Sequence, residues 1–159
     1  MSSRRLETTS PDETRVLGER LGRALHPGDL IGLIGTLGAG KTLLVQALAR
    51  GLELPSSVPV VSPTFTLINE YDGGRARLYH ADLYRIEKER ELDELGLDEM
   101  TRRDDGVVVI EWADRFRVLP GDHLRIEIDV TGDADRRFTV DAGGQRSQAL
   151  LDRWLGPKG

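Results

Sequence analysis

Gly35-Thr36-Leu37-Gly38-Ala39-Gly40-Lys41-Thr42 is the stretch from which the rest of this sequence is read. Glycines hold its first, fourth and sixth places and are followed by lysine and threonine, the full pattern of a phosphate-binding loop. Upstream, Leu30-Ile31-Gly32-Leu33-Ile34 predicts a buried strand; downstream, Leu43-Leu44-Val45-Gln46-Ala47-Leu48-Ala49 predicts a helix. A strand, a glycine-rich turn and a helix in that order are the context the motif requires.

Each residue type has a chemical reason. Glycines reach backbone angles closed to other residues and carry no side chain, so successive N–H groups can curl around a phosphate. The loop then feeds a helix whose first N–H groups lack internal partners and whose dipole favours negative charge. In that setting Lys41 reaches the β and γ phosphates and the Thr42 hydroxyl meets a phosphate-bound magnesium. A ligand-free structural turn is the competing reading, but it leaves both the glycine spacing and the paired flanks to chance. Gly35, Thr36, Leu37, Gly38, Ala39, Gly40, Lys41 and Thr42 are therefore the candidate nucleotide-binding residues.

Composition bounds the rest. The 159 residues fit one domain, 1–159, large enough to bury a core around a sheet. Acids outnumber bases by 27 to 22, for a formal charge of -5, which argues against broad wrapping by nucleic acid. Without cysteine there is neither a disulfide nor a thiolate nucleophile, and a reducing cytoplasm is the compatible location. No apolar run approaches membrane-spanning length, and no apolar signal segment follows Met1-Ser2-Ser3-Arg4-Arg5, so no membrane association is expected. Three scattered histidines give no zinc-site spacing.

Outward from the loop, Ser10-Pro11-Asp12-Glu13 combines an N-cap serine, proline at the first helical position and a capping-box glutamate. Val16, Leu17, Leu21, Ala24 and Leu25 then form an apolar stripe, predicting a surface helix packed on the sheet. Gly51 reads as the break after the loop helix, and Val58 to Val61 as a short strand interrupted by Pro59. In Ser62-Pro63-Thr64-Phe65-Thr66-Leu67 the alternation puts both threonines on one face. Thr64 is then either an ordinary β-branched strand residue or a hydroxyl near the γ-phosphate or metal, as in a switch segment ordered by a triphosphate.

Asn69-Glu70-Tyr71 running into Asp72-Gly73-Gly74 predicts a hairpin. The return strand, Arg75 to Tyr84, carries Leu78, His80, Asp82 and Tyr84 on one face and Tyr79, Ala81 and Leu83 on the other. Asp82 is a candidate magnesium ligand, direct or through water, and His80 could orient Asp82 or another residue, although a lone histidine is more often structural. Glu87 to Met100 reads as a charged helix weakened by Gly96, its acids serving as solvent contacts or as a docking face for a basic partner.

Val107-Val108-Val109-Ile110 is a second buried strand and ends in Glu111-Trp112. Ligands of open α/β sheets collect at the carboxyl ends of strands, so Glu111 is placed to hold magnesium, to orient an attacking water, or both. Trp112 reads as packing beside the nucleotide, as an interaction surface or as core. Leu124, Ile126, Ile128 and Val130 alternate as one strand, and Phe138 with Val140 marks another beyond Thr131-Gly132-Asp133; both are expected to extend or cover the sheet antiparallel. Gln145 to Leu155 predicts a final helix, after which Gly156-Pro157-Lys158-Gly159 should fray.

Taken together and in order, the phosphate loop, Ser62-Pro63-Thr64-Phe65-Thr66-Leu67 with Glu70-Tyr71, His80-Ala81-Asp82-Leu83-Tyr84-Arg85, and Ile110-Glu111-Trp112 resemble the bacterial TsaE family of tRNA threonylcarbamoyladenosine biosynthesis. The resemblance covers about Thr9 to Leu119. It implies an α/β P-loop nucleoside triphosphate hydrolase fold, a three-layer sandwich with a mixed central sheet. It also implies ATP and Mg2+ as cofactors, and partnership with the TsaB–TsaD heterodimer, in which TsaD transfers the threonylcarbamoyl group to the adenosine beside the anticodon. tRNA is then met only through the complex. Carried over by motif, Lys41 and Thr42 bind phosphate and magnesium, Asp82 and Glu111 belong to the metal or hydrolysis site, and Thr64 lies in the switch-like segment. The residues alone support only a magnesium-dependent nucleoside triphosphatase. A P-loop kinase of a small molecule and a non-hydrolysing ATP-dependent interaction module are the alternatives. The lack of an Asn-Lys-x-Asp sequence disfavours a conventional GTPase.

Overall fold

The computed structural model of the protein describes residues 3–36, 38–61, 63, 68–114 and 119–157. The elements run β1 (Ser3–Thr8), α1 (Pro11–Ala24), β2 (Leu30–Gly35), α2 (Lys41–Gly51), β3 (Ile68–Tyr71), β4 (Arg77–Asp82), α3 (Arg90–Leu95), α4 (Leu97–Met100), β5 (Gly106–Glu111), β6 (Leu124–Val130), β7 (Arg136–Ala142) and α5 (Gln145–Leu155). All strands join one mixed α/β sheet in the order β1-β7-β6-β2-β5-β4-β3. The inner strands β6, β2, β5 and β4 are mutually parallel, and antiparallel pairing enters at β3, at β7 and between β7 and β1.

Alternation along the strands sorts side chains between two cores. Ile31, Leu33, Val107, Val109, Leu124, Ile126, Phe138 and Val140 meet α1, α2 and α5, while Leu30, Ile34, Tyr79, Ala81, Val108 and Ile110 meet Leu92, Leu97 and Met100 of α3 and α4. The expected three layers are therefore present across β2, β5 and β4. Across β6, β7 and β1 the second face carries ion pairs instead: Arg125 with Glu127 at 3.2 Å and with Asp141 at 3.8 Å, and Arg137 with Glu7 at 3.5 Å.

Several expectations change on folding. β6 and β7 pair antiparallel across the expected Thr131-Gly132-Asp133 turn, but β6 joins β2 in parallel, because the chain crosses over the sheet between β5 and β6 rather than turning a hairpin there. β1, unread in the sequence, zips along β7 from Ser3↔Asp141 to Thr8↔Arg136. Val16 is 57% exposed, off the buried stripe of Thr14, Leu17, Gly18 and Leu21. Glu13 accepts from the Thr9 amide at 2.7 Å while its own amide donates to the Ser10 hydroxyl, so the predicted cap forms with its return bond one residue upstream. α1 packs chiefly on α2, not on the sheet alone.

Gly51 lies inside α2, whose C-cap is Leu52. It is small for packing: a Cβ there would stand 2.2 Å from the Glu19 carbonyl of α1, and one on Gly22 2.1 Å from the Leu48 carbonyl. Val58 to Val61 is not a strand. Its carbonyls are taken by side chains, Val60 by Gln46 Nε2 at 3.0 Å and Val61 by the Tyr71 hydroxyl at 3.2 Å. The long charged helix is split by Gly96, in left-handed conformation at φ +72°, into α3 and α4. Ser62, the Thr64 to Leu67 stretch, and Lys158 and Gly159, which were expected to fray, lie outside the described residues.

Candidate functional site

Gly35 closes β2, Glu111 closes β5 and Asp82 closes β4, and these three strands are adjacent in the sheet. The register sets Leu33 beside Glu111 and Glu111 beside Asp82, so both acids stand at the carboxyl edge where the glycine turn leaves β2. Gly38 at φ +80° and Gly40 at φ +107° make that turn, and an added Cβ would meet nothing within 4 Å at either. Backbone angle, not crowding, is what calls for glycine there. Gly40 is the N-cap of α2 and, having no side chain, makes no cap hydrogen bond, and the start of such a helix favours an anion.

Lys41 is 6% exposed. Its ammonium donates to the carbonyl of Gly35 and, at 3.0 Å, to that of Thr36, and it lies 4.3 Å from the ring centroid of Trp112. Burial pushes its pKa below the usual lysine range, opposed by the charges of Glu111, Asp82 and Asp114. Trp112 takes left-handed backbone at φ +60°, turning the chain off the end of β5 so that its ring lies between Lys41 and Tyr84, with ring centroids of Trp112 and Tyr84 5.0 Å apart. Trp112 thus stands beside the loop lysine and, half-buried, also packs against the second core.

Asp82 is half-buried and accepts from the Tyr84 amide at 2.9 Å. Burial raises its pKa, and the nearby charge of Glu111 adds to that, while the Tyr84 amide, His80 and Lys41 oppose it. Glu111 is 2% exposed, and its Oε2 lies 2.5 Å from His80 Nε2, also buried. A carboxylate only accepts, so Nε2 is the donor. His80 thus orients Glu111 rather than Asp82. Nδ1 of His80 is buried without a partner among the described residues.

Thr42 is exposed in the first turn of α2. Among the described residues no cluster of three metal-binding side chains forms. That donor set still fits magnesium, which is bound through one or two carboxylates together with substrate phosphates and water. Leu37 and Thr64 lie outside the described residues.

One side chain that the sequence did not single out reaches the loop. Arg136, at the start of β7, donates through Nε to the Ala39 carbonyl at 2.9 Å and through Nη2 to that of Gly38 at 3.5 Å. No local signal could reveal it, since 97 residues separate the bonded pair. A cleft of about 400 Å³ opens where the loop leaves β2, lined by Gly35, Thr36, Trp112, Asp114, Glu127 and Asp129 among others. Its acids repel phosphate, which favours the amide-lined side of the turn.

The family model described as threonylcarbamoyl adenosine biosynthesis protein TsaE matches residues 8–138. A relative from Bacillus subtilis, named tRNA threonylcarbamoyladenosine biosynthesis protein TsaE, is 40% identical over 153 residues, spanning 96% of this chain and 94% of its own. Proteins of the same name from a Nostoc species and from Aquifex aeolicus are 43% and 35% identical, covering 81% and 82% of this chain and 80% and 90% of their own. The crystal structure of YdiB from Bacillus subtilis superposes with a TM-score of 0.79 at 34% identity, covering 96% of this chain and 94% of that one. A family match across most of the chain, similarity at these levels over nearly whole relatives and a shared fold lead to one conclusion: this chain belongs to the TsaE family.

Proposed function

We propose that this protein is a magnesium-dependent ATPase of the P-loop fold that serves tRNA threonylcarbamoyladenosine biosynthesis by supporting turnover of a TsaB–TsaD complex. The observation that carries the reading is the convergence of Lys41, Asp82 and Glu111, from three separate elements, on one glycine turn. The biosynthetic role rests on family membership.

In this reading the amides of the turn and of the first α2 residues bind the phosphates. Lys41 exchanges its bonds to the Gly35 and Thr36 carbonyls for β- and γ-phosphate oxygens. Thr42, Asp82 and Glu111 would hold Mg2+, which when bound offsets phosphate charge. Glu111, fixed by His80, accepts a hydrogen bond from the attacking water and so orients it toward the γ-phosphate. Trp112 walls one side of the lysine and excludes water from it. Thr64 we assign, on the family resemblance, to the switch-like segment near the nucleotide.

The test is ATP turnover by the isolated chain and by the chain with TsaB–TsaD, with and without tRNA, read as inorganic phosphate released. Lys41→Ala should weaken ATP binding roughly a hundredfold, whereas Glu111→Gln should keep binding within about tenfold and lose turnover by two orders of magnitude or more. Full turnover by Glu111→Gln in the assembled complex would sink the assignment. Phosphate appearing on a metabolite would make the protein a kinase.

A further inference from the structure

We propose that Arg136 is a positioning residue for nucleotide binding, which sets the phosphate-binding loop by pinning its outer carbonyls so that the Gly40 amide faces the phosphates. The proposal rests on the ATPase reading above and assigns a role to a side chain outside every motif that led to it. Arg136 is half-buried, and its guanidinium bonds to two pieces of backbone. On one side Nη1 donates to the carbonyls of Asp135 at 2.9 Å, Gly132 at 3.2 Å and Asp133 at 3.3 Å, tying it to the β6–β7 turn. On the other, Nε and Nη2 reach Ala39 and Gly38.

The peptide plane supplies the consequence. None of the described peptide bonds is cis, and across a trans peptide the C=O and the next N–H point in opposite directions. Holding the Ala39 carbonyl toward Arg136 therefore turns the Gly40 N–H away from it, toward the concave side of the turn. Gly40, at φ +107°, and Gly38, at φ +80°, have no Cβ to restrict their rotation, so an outside clamp on the carbonyls of Gly38 and Ala39 matters here. The planar fork makes several directed bonds at once, which an ammonium cannot reproduce. It also brings a permanent positive charge to a loop surrounded by Asp82, Glu111 and Asp114.

A staple that merely joins the hairpin to the loop would contribute stability without affecting ligand affinity, and that difference sets the experiment. Binding of Mg-ADP and Mg-ATP is measured by calorimetry for the wild type, Arg136→Gln, Arg136→Lys and Arg153→Gln, with thermal midpoints and the Gly40 amide NMR shift on adding ADP. Arg153 is the control, an arginine bonded to the Ala24 carbonyl and to Asp29, just before the start of β2, the end opposite the loop. Arg136→Gln should bind both nucleotides roughly ten to a hundredfold more weakly and show a smaller Gly40 shift. Arg136→Lys, keeping charge without the fork, should recover only part of that loss. Arg153→Gln should lower the midpoint and leave both dissociation constants unchanged. Wild-type affinity with a wild-type Gly40 shift in Arg136→Gln overturns the proposal whatever its melting temperature. If that variant does not fold, wild-type affinity in Arg136→Lys overturns it instead. A wild type that binds neither nucleotide removes the ATPase reading as well, a distinct result.

Discussion

Asp82 shows how a site residue can weaken the fold that holds it. Its carboxyl is half-buried near Glu111, and burial raises its pKa above that of an exposed aspartate. The folded state therefore holds this proton more tightly than the unfolded one. Below the unfolded value of 3.8 both states are protonated and nothing is lost, while above the raised folded value the ionised group costs stability. Asp82→Asn should thus raise the neutral-pH melting temperature by about 1–2 °C, a figure kept small because water screens half of the group, and it should abolish magnesium-dependent turnover. A midpoint that falls would show the carboxylate to be a structural partner of Tyr84. Lys41, Asp82 and Glu111 were legible in the sequence because a loop motif and strand ends announce themselves locally. That His80 pairs with Glu111 across the ladder, and that Arg136 reaches Ala39, depends on neighbours brought together only by the sheet.

At the scale of elements, α1 and α2 meet backbone to backbone through Gly22 and Gly51. A methyl group on Gly22 would collide with the Leu48 carbonyl, and rigid backbone cannot swing aside as a side chain can. Gly22→Ala should cost about 3 kcal/mol in urea unfolding; a loss under 1 kcal/mol would mean the helices part easily. A second element is held at its start by a distant acid. Asp122 accepts from the Arg146 and Ser147 amides of α5 at 3.0 and 2.9 Å and from the Ser147 hydroxyl at 2.6 Å. Although burial opposes them, those bonds hold its pKa below 3.8. Its contribution is present above that value and fades as pH falls through the lower folded one. Asp122→Ala should cost about 1 kcal/mol at pH 7 and progressively less below pH 4, measured by thermal unfolding across pH.

For the whole molecule, a ligand that binds only the folded state stabilises it by mass action. Mg-ATP at about a hundred times its dissociation constant should add about 2.7 kcal/mol, raising the melting midpoint by roughly 5–11 °C. Lys41→Ala at the same concentration should show almost none of that rise; an equal rise would place the nucleotide elsewhere. The sequence by itself determined the buried strands beside the glycine turn, the helix that follows it, the hairpin, the last helix and the acids at two strand ends. Each is written in a short window, as a period of apolar residues, a turn-forming pair or a motif whose chemistry admits few residue types. It was silent on β1 and misjudged β6 because pairing across a sheet leaves no local trace: Ser3 to Thr8 has no long apolar run and gains its strand from β7, and the chain leaving β5 crosses over β2 to set β6 on its far side. Tertiary structure alone decided which helix glycines touch, which partner His80 takes and which arginine holds the loop. Those outcomes depend on distances between residues far apart in the chain, fixed only when two hydrophobic cores close on the two faces of one sheet.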